Sequence, residues 1–264
     1  PQTTTDQVSF WIINAVYEGL VRLQPDGTVV KGSGLAKDWD VSEDGMTYTF
    51  HLRDANWSDG TPITASDFEY AWFRAIDPKV AAQYSYQLTD TAGIVNAGKY
   101  FSGEITDKSQ VGIKAVDDKT FEVKLEKPIP FFLSLVSFPT FIPAQKAAIE
   151  SLGDAFASEA DKMVYSGPFV VSEWQHEQKL NLKKNESYWD AANVTGELDL
   201  VGVPAEFLDK YKDTDEFHNM AECTTWYIQY NYEDKYTSNK NIRYALSLAV
   251  DTQSFVDNVL ANGS

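Results

Sequence analysis

Three histidines, one cysteine and 39 acidic side chains are the groups from which this 264-residue sequence would have to build catalysis or a metal site. Acyl transfer or hydrolysis needs a nucleophile beside a base, and metal chemistry needs ligands at short spacing. His51, His176 and His218 lie far apart in no ligand spacing, and neither a Gly-x-Ser-x-Gly elbow nor a Walker loop occurs. The lone Cys223 excludes an internal disulfide and a multi-thiolate zinc site. Gly32-Ser33-Gly34 starts like a phosphate loop, but Lys37 stands where the third glycine belongs. Asp40, Ser42, Asp44 and Gly45 match the first half of a calcium loop. Its twelfth position, which calls for a bidentate Glu, is His51, and both flanks alternate apolar and polar as strands do. Ser42–Gly45 is therefore read as a hairpin turn. So many carboxylates form pairs by chance, and none is nominated as an acid/base couple. The sequence reads as a non-enzyme with no metal and no cofactor.

Binding chemistry is better supplied. Fourteen tyrosines, fifteen phenylalanines and seven tryptophans are a heavy aromatic load, most of it core, and tyrosine and tryptophan are also favoured in ligand clefts. A net charge of −17 argues against a nucleic-acid partner and is read as a solubility device. The composition, 43% hydrophobic and 23% charged, is that of a globular chain long enough for one large domain or two ordinary ones. No apolar run approaches the ~20 residues of a membrane span. Pro1 carries no signal peptide and reads as a point inside a chain already trimmed.

The elements that must position these aromatics are organised around Trp57–Pro78. Ser58-Asp59-Gly60 is turn chemistry, and Thr64 precedes Asp67 by the three residues of a capping box. Phe68, Ala71, Trp72, Ala75 and Ile76 then trace one helical face, stopped by Asp77-Pro78. Before it, residues 1–9 read as an extended lead-in, Phe10–Leu20 as a helix ending near Gly19, and residues 20–30 and 39–53 as hairpins. After it, residues 111–125 form a period-two hairpin, 128–132 open a short helix, and 144–152 make a helix ended by Gly153. Tyr165–Trp174 and Lys179–Asp190 give two strands around a Gly-Pro turn. Residues 198–203 read as a strand, 205–211 as a helix, and Ile242–Asp251 as a helix with Ile242, Leu246, Ala249 and Val250 on its apolar face.

The wording Trp57-Ser-Asp-Gly-x-Pro-x-Thr-Ala-x-Asp-Phe-x-Tyr-Ala-Trp-x-Arg74 resembles the signature of the extracytoplasmic oligopeptide-binding proteins of ABC importers, the family of solute-binding proteins that take peptides or nickel. Gly34-Leu-Ala…Trp39, Tyr48-Thr-Phe-x-Leu-Arg53, Pro128-x-Pro-Phe-Phe132, Ser166-Gly-Pro-Phe169 and Lys184-Asn-x-x-Tyr-Trp-Asp190 extend it over nearly the whole sequence. Two departures stand out. Ser33 replaces the family's usual proline, and Val194 runs almost directly into Thr195-Gly-Glu-Leu-Asp199, where the family places a strand and a helix.

The resemblance implies an α/β fold, a type II periplasmic-binding-protein-like lobe carrying an inserted α+β subdomain, with the second lobe largely absent. Residues 1–17 and 144–222 would form the first lobe, 18–143 the insertion, and 223–264 the crossing strand and the start of the second lobe. It implies a peptide ligand contacted by Thr5, Asp6 and Gln7 in an extended segment, by Tyr86, and by Trp226 and Ile228 on the crossing strand. It implies ABC permease partners in the membrane, a monomer, and an extracytoplasmic protein anchored as a lipoprotein or periplasmic. The family's occasional disulfide at the Cys223 position has no partner within these residues. A second reading stays open: a truncated or engineered fragment, folded as a scaffold with an incomplete site. On either reading, 264 residues supplying half a cleft are expected to bind peptide no better than about millimolar.

Overall fold

Alternation over Thr47–Leu52 turns Tyr48, Phe50 and Leu52 to one side, and the same period over Thr120–Lys124 turns Phe121 and Val123 to it as well. These two strands form the centre of an antiparallel sheet. In the computed structural model, which describes residues 1–24, 26–194, 210, 214 and 229–255, the chain divides into two units, Pro1–Leu198 and Asp199–Ser264.

The first unit opens with α1 (Gln7–Val16) and continues with β1 (Ala36–Val41), β2 (Thr47–Leu52), α2 (Ala65–Ala75), α3 (Ala97–Phe101), β3 (Ile113–Asp117) and β4 (Thr120–Lys124). Short helices α4 (Phe132–Leu135) and α5 (Lys146–Leu152) precede the hairpin of β5 (Phe169–Gln175) and β6 (Lys179–Lys184). The four-stranded sheet has the order β1-β2-β4-β3, and β5–β6 is a separate two-stranded sheet. Gly45, at φ 69°, makes the turn between β1 and β2, and Asp44 Oδ1 accepts from Ser42 Oγ at 2.5 Å and Met46 N at 3.0 Å. Its carboxylate serves the turn, as the hairpin reading required.

Helix α2 covers the sheet. Asp67 closes the capping box by accepting from Thr64 N–H at 2.9 Å and from Trp57 Nε1 at 3.3 Å. Phe68 and Trp72 meet Phe121 with ring centroids 5.8 and 5.0 Å apart, and Trp72 Nε1 donates to Phe141 O at 2.8 Å. Both indoles, Trp57 and Trp72, are fully buried, so the motif is scaffold.

The expected hairpin over residues 20–30 is reduced to a single bridge, Leu23 to Val29, around a turn with Gly27 at φ 80°. Its backbone is used elsewhere: Leu35 N and Ala36 N donate to Gly19 O and Leu20 O, both at 2.9 Å. That pairing explains Gly34, where a Cβ would stand 2.7 Å from Gly19 O and Leu20 O. Ser166-Gly167-Pro168 is equally specific: Gly167 N donates to Val16 O at 2.9 Å, leaving no room for a side chain.

In the second unit the described residues contain α6 (Lys240–Ala249), capped by Asn239. Ile242 and Leu246 are exposed on it and Val250 just beyond it, and Arg243 stacks on Tyr232 while donating to Thr237 O and Ser238 O. The expected strand at 198–203 lies outside the described residues, as does nearly all of the expected helix at 205–211.

Candidate ligand-binding site

The extended lead-in expected over residues 1–9 is shorter than that: α1 begins at Gln7. Asp6 is the reason. Its backbone is extended, φ −108° and ψ 149°, and its Oδ1 accepts from Ser9 N at 2.8 Å, an N-cap that starts the helix. The hydrogen bond from Ser9 holds the Asp6 carboxyl below the ordinary range. Phe10, Ile13 and Val16 then bury the inner face. Thr5, Asp6 and Gln7 remain exposed at the helix start. Asp6 already has a structural task, which sequence reasoning did not assign to it.

Tyr86 is 46% exposed and its hydroxyl accepts from Gln87 Nε2 at 3.3 Å. The backbone around it is irregular: Ala81 sits at φ 52°, and Gln87–Thr91 is a π-helical turn. Such turns recur at functional sites. An aromatic chain ties this segment to α1. Phe10 meets Tyr84 at 5.7 Å between centroids, Tyr84 meets Tyr86 at 5.9 Å, and Phe138 packs on Phe10 and Tyr84 at 5.3 and 5.1 Å. Tyr86 is thereby linked through Tyr84 to Phe10, three residues beyond Gln7 on α1. The contacts of Phe10, Tyr84 and Phe138 with one another carry no sequence signal, because no periodicity marks a contact made only in the tertiary fold. Trp226 and Ile228, like Cys223, lie outside the described residues.

A cavity of about 230 Å³ opens further along α1, between Asn14, Val21, Arg22, Leu23, Ser137 and Ile142. Behind it, the fully buried Glu18 carboxylate takes Arg22 in a fork, Nε to Oε1 at 3.0 Å and Nη2 to Oε2 at 2.5 Å. Tyr188 donates its hydroxyl to the same Oε2 at 2.8 Å, and Glu18 N donates to Ser166 Oγ at 3.0 Å. Burial, reinforced by the Glu18 charge, pushes the Tyr188 phenol well above its ordinary range. Burial opposes the Arg22 charge, yet Glu18 outweighs it and holds the guanidinium above its usual value. The outward face of α1 carries Gln7, Trp11 and Asn14, and Trp11 is 53% exposed.

Among the described residues no group of three or more His, Cys, Asp or Glu side chains is placed to hold a metal ion. His51 Nε2 pairs instead with Asp40 Oδ2 at 2.8 Å on an exposed strand face.

The site can therefore offer exposed polar groups at a helix start, a tyrosine platform and a lined cavity, which suits recognition of a flexible solute. Comparison with known proteins gives the family. The family described as bacterial extracellular solute-binding proteins, family 5 Middle, matches residues 32–195 and 190–264. The oligopeptide-binding protein OppA of Bacillus subtilis is 36% identical over 98% of this chain and 51% of its own length. The probable deoxycholate-binding periplasmic protein YgiS of Escherichia coli is 33% identical over 98% of this chain and 52% of its own. The structure of Listeria monocytogenes OppA bound to peptide superposes with a TM-score of 0.84 and 34% identity, covering 99% of this chain and 56% of that one. The chain thus spans about half the length of the relatives it matches. Its α/β architecture, its Trp57–Pro78 helix and its matched sequence lead to one conclusion: the chain belongs to the family 5 bacterial extracellular solute-binding proteins.

Proposed function

We propose that this chain belongs to the substrate-binding component of an ABC importer and takes oligopeptides outside the cytoplasmic membrane. The observation that carries the reading is the Phe10–Tyr84–Tyr86 chain, which joins the exposed Thr5–Gln7 segment to the Tyr86 platform. A peptide laid there meets hydrogen-bonding groups along its main chain and an aromatic surface for its side chains, a combination that tolerates sequence variety. Peptide is favoured over a rigid steroid because the names of the Bacillus subtilis relative and the Listeria structure point to peptides at comparable identity. Trp226 and Ile228 complete the ligand contacts in this proposal.

The same reading makes residues 18–143 an inserted subdomain on a lobe built from 1–17 and 144–222, in keeping with two separate sheets. It makes the protein a monomer without catalytic activity, delivering its ligand to membrane permease subunits and held outside the cytoplasm as a lipoprotein or in the periplasm. No helix among the described residues is long and apolar enough to cross a membrane.

Isothermal titration of the 264-residue chain with a pool of tri- to octapeptides tests the proposal. A saturable heat near millimolar, about −4 kcal/mol, is expected. Absence of saturation with peptides, alongside saturable binding of deoxycholate, would move the protein to a different solute.

A further inference from the structure

We infer that the cavity beside Asn14 and Arg22 is a subsite for a carboxylate on a small aliphatic body, the free C-terminal residue of a bound peptide. This rests on the peptide reading above and adds where one end of the ligand sits.

The chemistry of the walls selects the group. Arg22 is fixed by Glu18 through Nε and Nη2, and among the described residues its Nη1 makes no hydrogen bond. The Asn14 side-chain amide makes none either. Ser137 Oγ donates to Ser134 O at 2.7 Å, which leaves it only an acceptor. Asn14, Tyr17 and Arg22 thus line the space with donor capacity to spare, one of them a guanidinium suited to a planar carboxylate. Tyr188 donates its hydroxyl to Glu18 Oε2 at 2.8 Å, so that oxygen divides its hydrogen bonding between Tyr188 and Arg22. In a chain of net charge −17 an anion gains a foothold only where such donors converge.

Size and distance select the carrier. About 230 Å³ is far more than the ~30 Å³ share of one water and below the ~300–1,000 Å³ of whole-ligand pockets. One residue fits, with Val21, Leu23 and Ile142 as an apolar floor. Gln7, Trp11 and Asn14 lie on one face of α1, and seven helical steps of ~1.5 Å separate the first from the last by roughly 10 Å. An extended peptide crosses that distance in about three residues at ~3.3 Å each. A ligand that begins at Thr5–Gln7 brings its third or fourth residue to the cavity.

The test uses N-acetyl-leucine and its neutral isostere N-acetyl-leucinamide, titrated into the 264-residue chain and followed by backbone amide shifts. The acid is expected to bind at least about tenfold more tightly than the amide. Arg22→Gln strands the buried Glu18, so the informative variant is Asn14→Asp at an exposed position. It sets a like charge at the rim and removes one donor for both ligands, so a loss about tenfold greater for the acid than for the amide is expected. Equal binding of acid and amide, or an Asn14→Asp variant that binds the acid as the parent does, overturns the inference. A tripeptide with a free or an amidated C-terminus separates the two readings. If both forms bind equally, the subsite falls and peptide binding stands. If N-acetyl-leucine passes each test while neither tripeptide saturates, the subsite stands for free carboxylates and the peptide reading falls.

Discussion

The guanidinium of Arg53 lies 3.4 Å from the ring centroid of Trp189. The two come from distant parts of the first unit, one just after β2 and the other following β6. Arg53 Nη2 also donates to Gly32 O at 2.7 Å, and its own N–H donates to Leu35 O at 3.0 Å, so the side chain is fixed before it stacks. Together with Tyr188 on Glu18, and with Ser58 N donating to Tyr165 O at 2.8 Å, the stack fastens the four-stranded-sheet region to the β5–β6 region. Arg53→Lys keeps the charge and loses the planar face, so a cost of about 1–2 kcal/mol is expected. A double-mutant cycle with Trp189→Leu, read from urea midpoints, should show coupling of comparable size; additive single effects would refute the stack as a fastening.

Trp72→Ala is expected to cost about 3–5 kcal/mol, since a fully buried indole between Phe121 and Phe141 leaves a cavity that rigid neighbours cannot fill. Trp72→Phe separates the two contributions. It restores most of the volume but strands Phe141 O, whose partner was Trp72 Nε1, for about 1–3 kcal/mol. Denaturant midpoints for the pair measure both, and an unmoved Phe variant would remove the hydrogen bond from the account.

Gly34→Ala should destabilise by at least about 1–3 kcal/mol, because the added carbon meets backbone at Gly19 and Leu20 that cannot swing aside. Thermal unfolding of this variant beside Gly98→Ala, where the nearest atom is 4.0 Å away, isolates the clash. Equal melting temperatures would show that residues 19–20 and 34–35 separate easily.

Asp67 gives a pH signature. Burial raises its carboxyl above the ordinary value, with the hydrogen bonds from Thr64 and Trp57 opposing. A carboxyl raised on folding contributes stability below its unfolded pKa of 3.8 and loses it as pH rises through the folded value. Asp67→Asn has no such loss. The urea midpoint of the variant should therefore gain on the parent between pH 4 and pH 7, and a gap that shrinks over that range has the wrong sign.

Asp6 separates capping from ligand contact. Asn caps nearly as well as Asp, whereas Ala does not. Asp6→Asn should retain protection of the Ser9 amide against hydrogen exchange, and Asp6→Ala should lose it. If peptide binding weakens in the Ala variant alone, Asp6 acts by starting α1; if it weakens equally in both, the charge itself meets the ligand.

The sequence alone determined what depends on local pattern. The capping box at Thr64 and Asp67, the α2 face through Trp72, and the two-residue alternation on either side of Gly45 and of Asp117–Thr120 are written within a few positions of chain. Family wording carried the rest of the fold class, because motifs such as Ser166-Gly167-Pro168 record close backbone contacts that few sequences satisfy. Only the tertiary structure decided where residues distant in sequence would meet. Leu20 could pair within its own hairpin or with Ala36, and the crowded approach of Gly34 to Gly19 settled it. Phe10, Tyr84 and Phe138 became one cluster, and Glu18 found both Arg22 four residues on and Tyr188 near the far end of the unit. Those contacts arise from packing of whole elements, whose energy is shared over many partners and leaves no periodic trace at any single position.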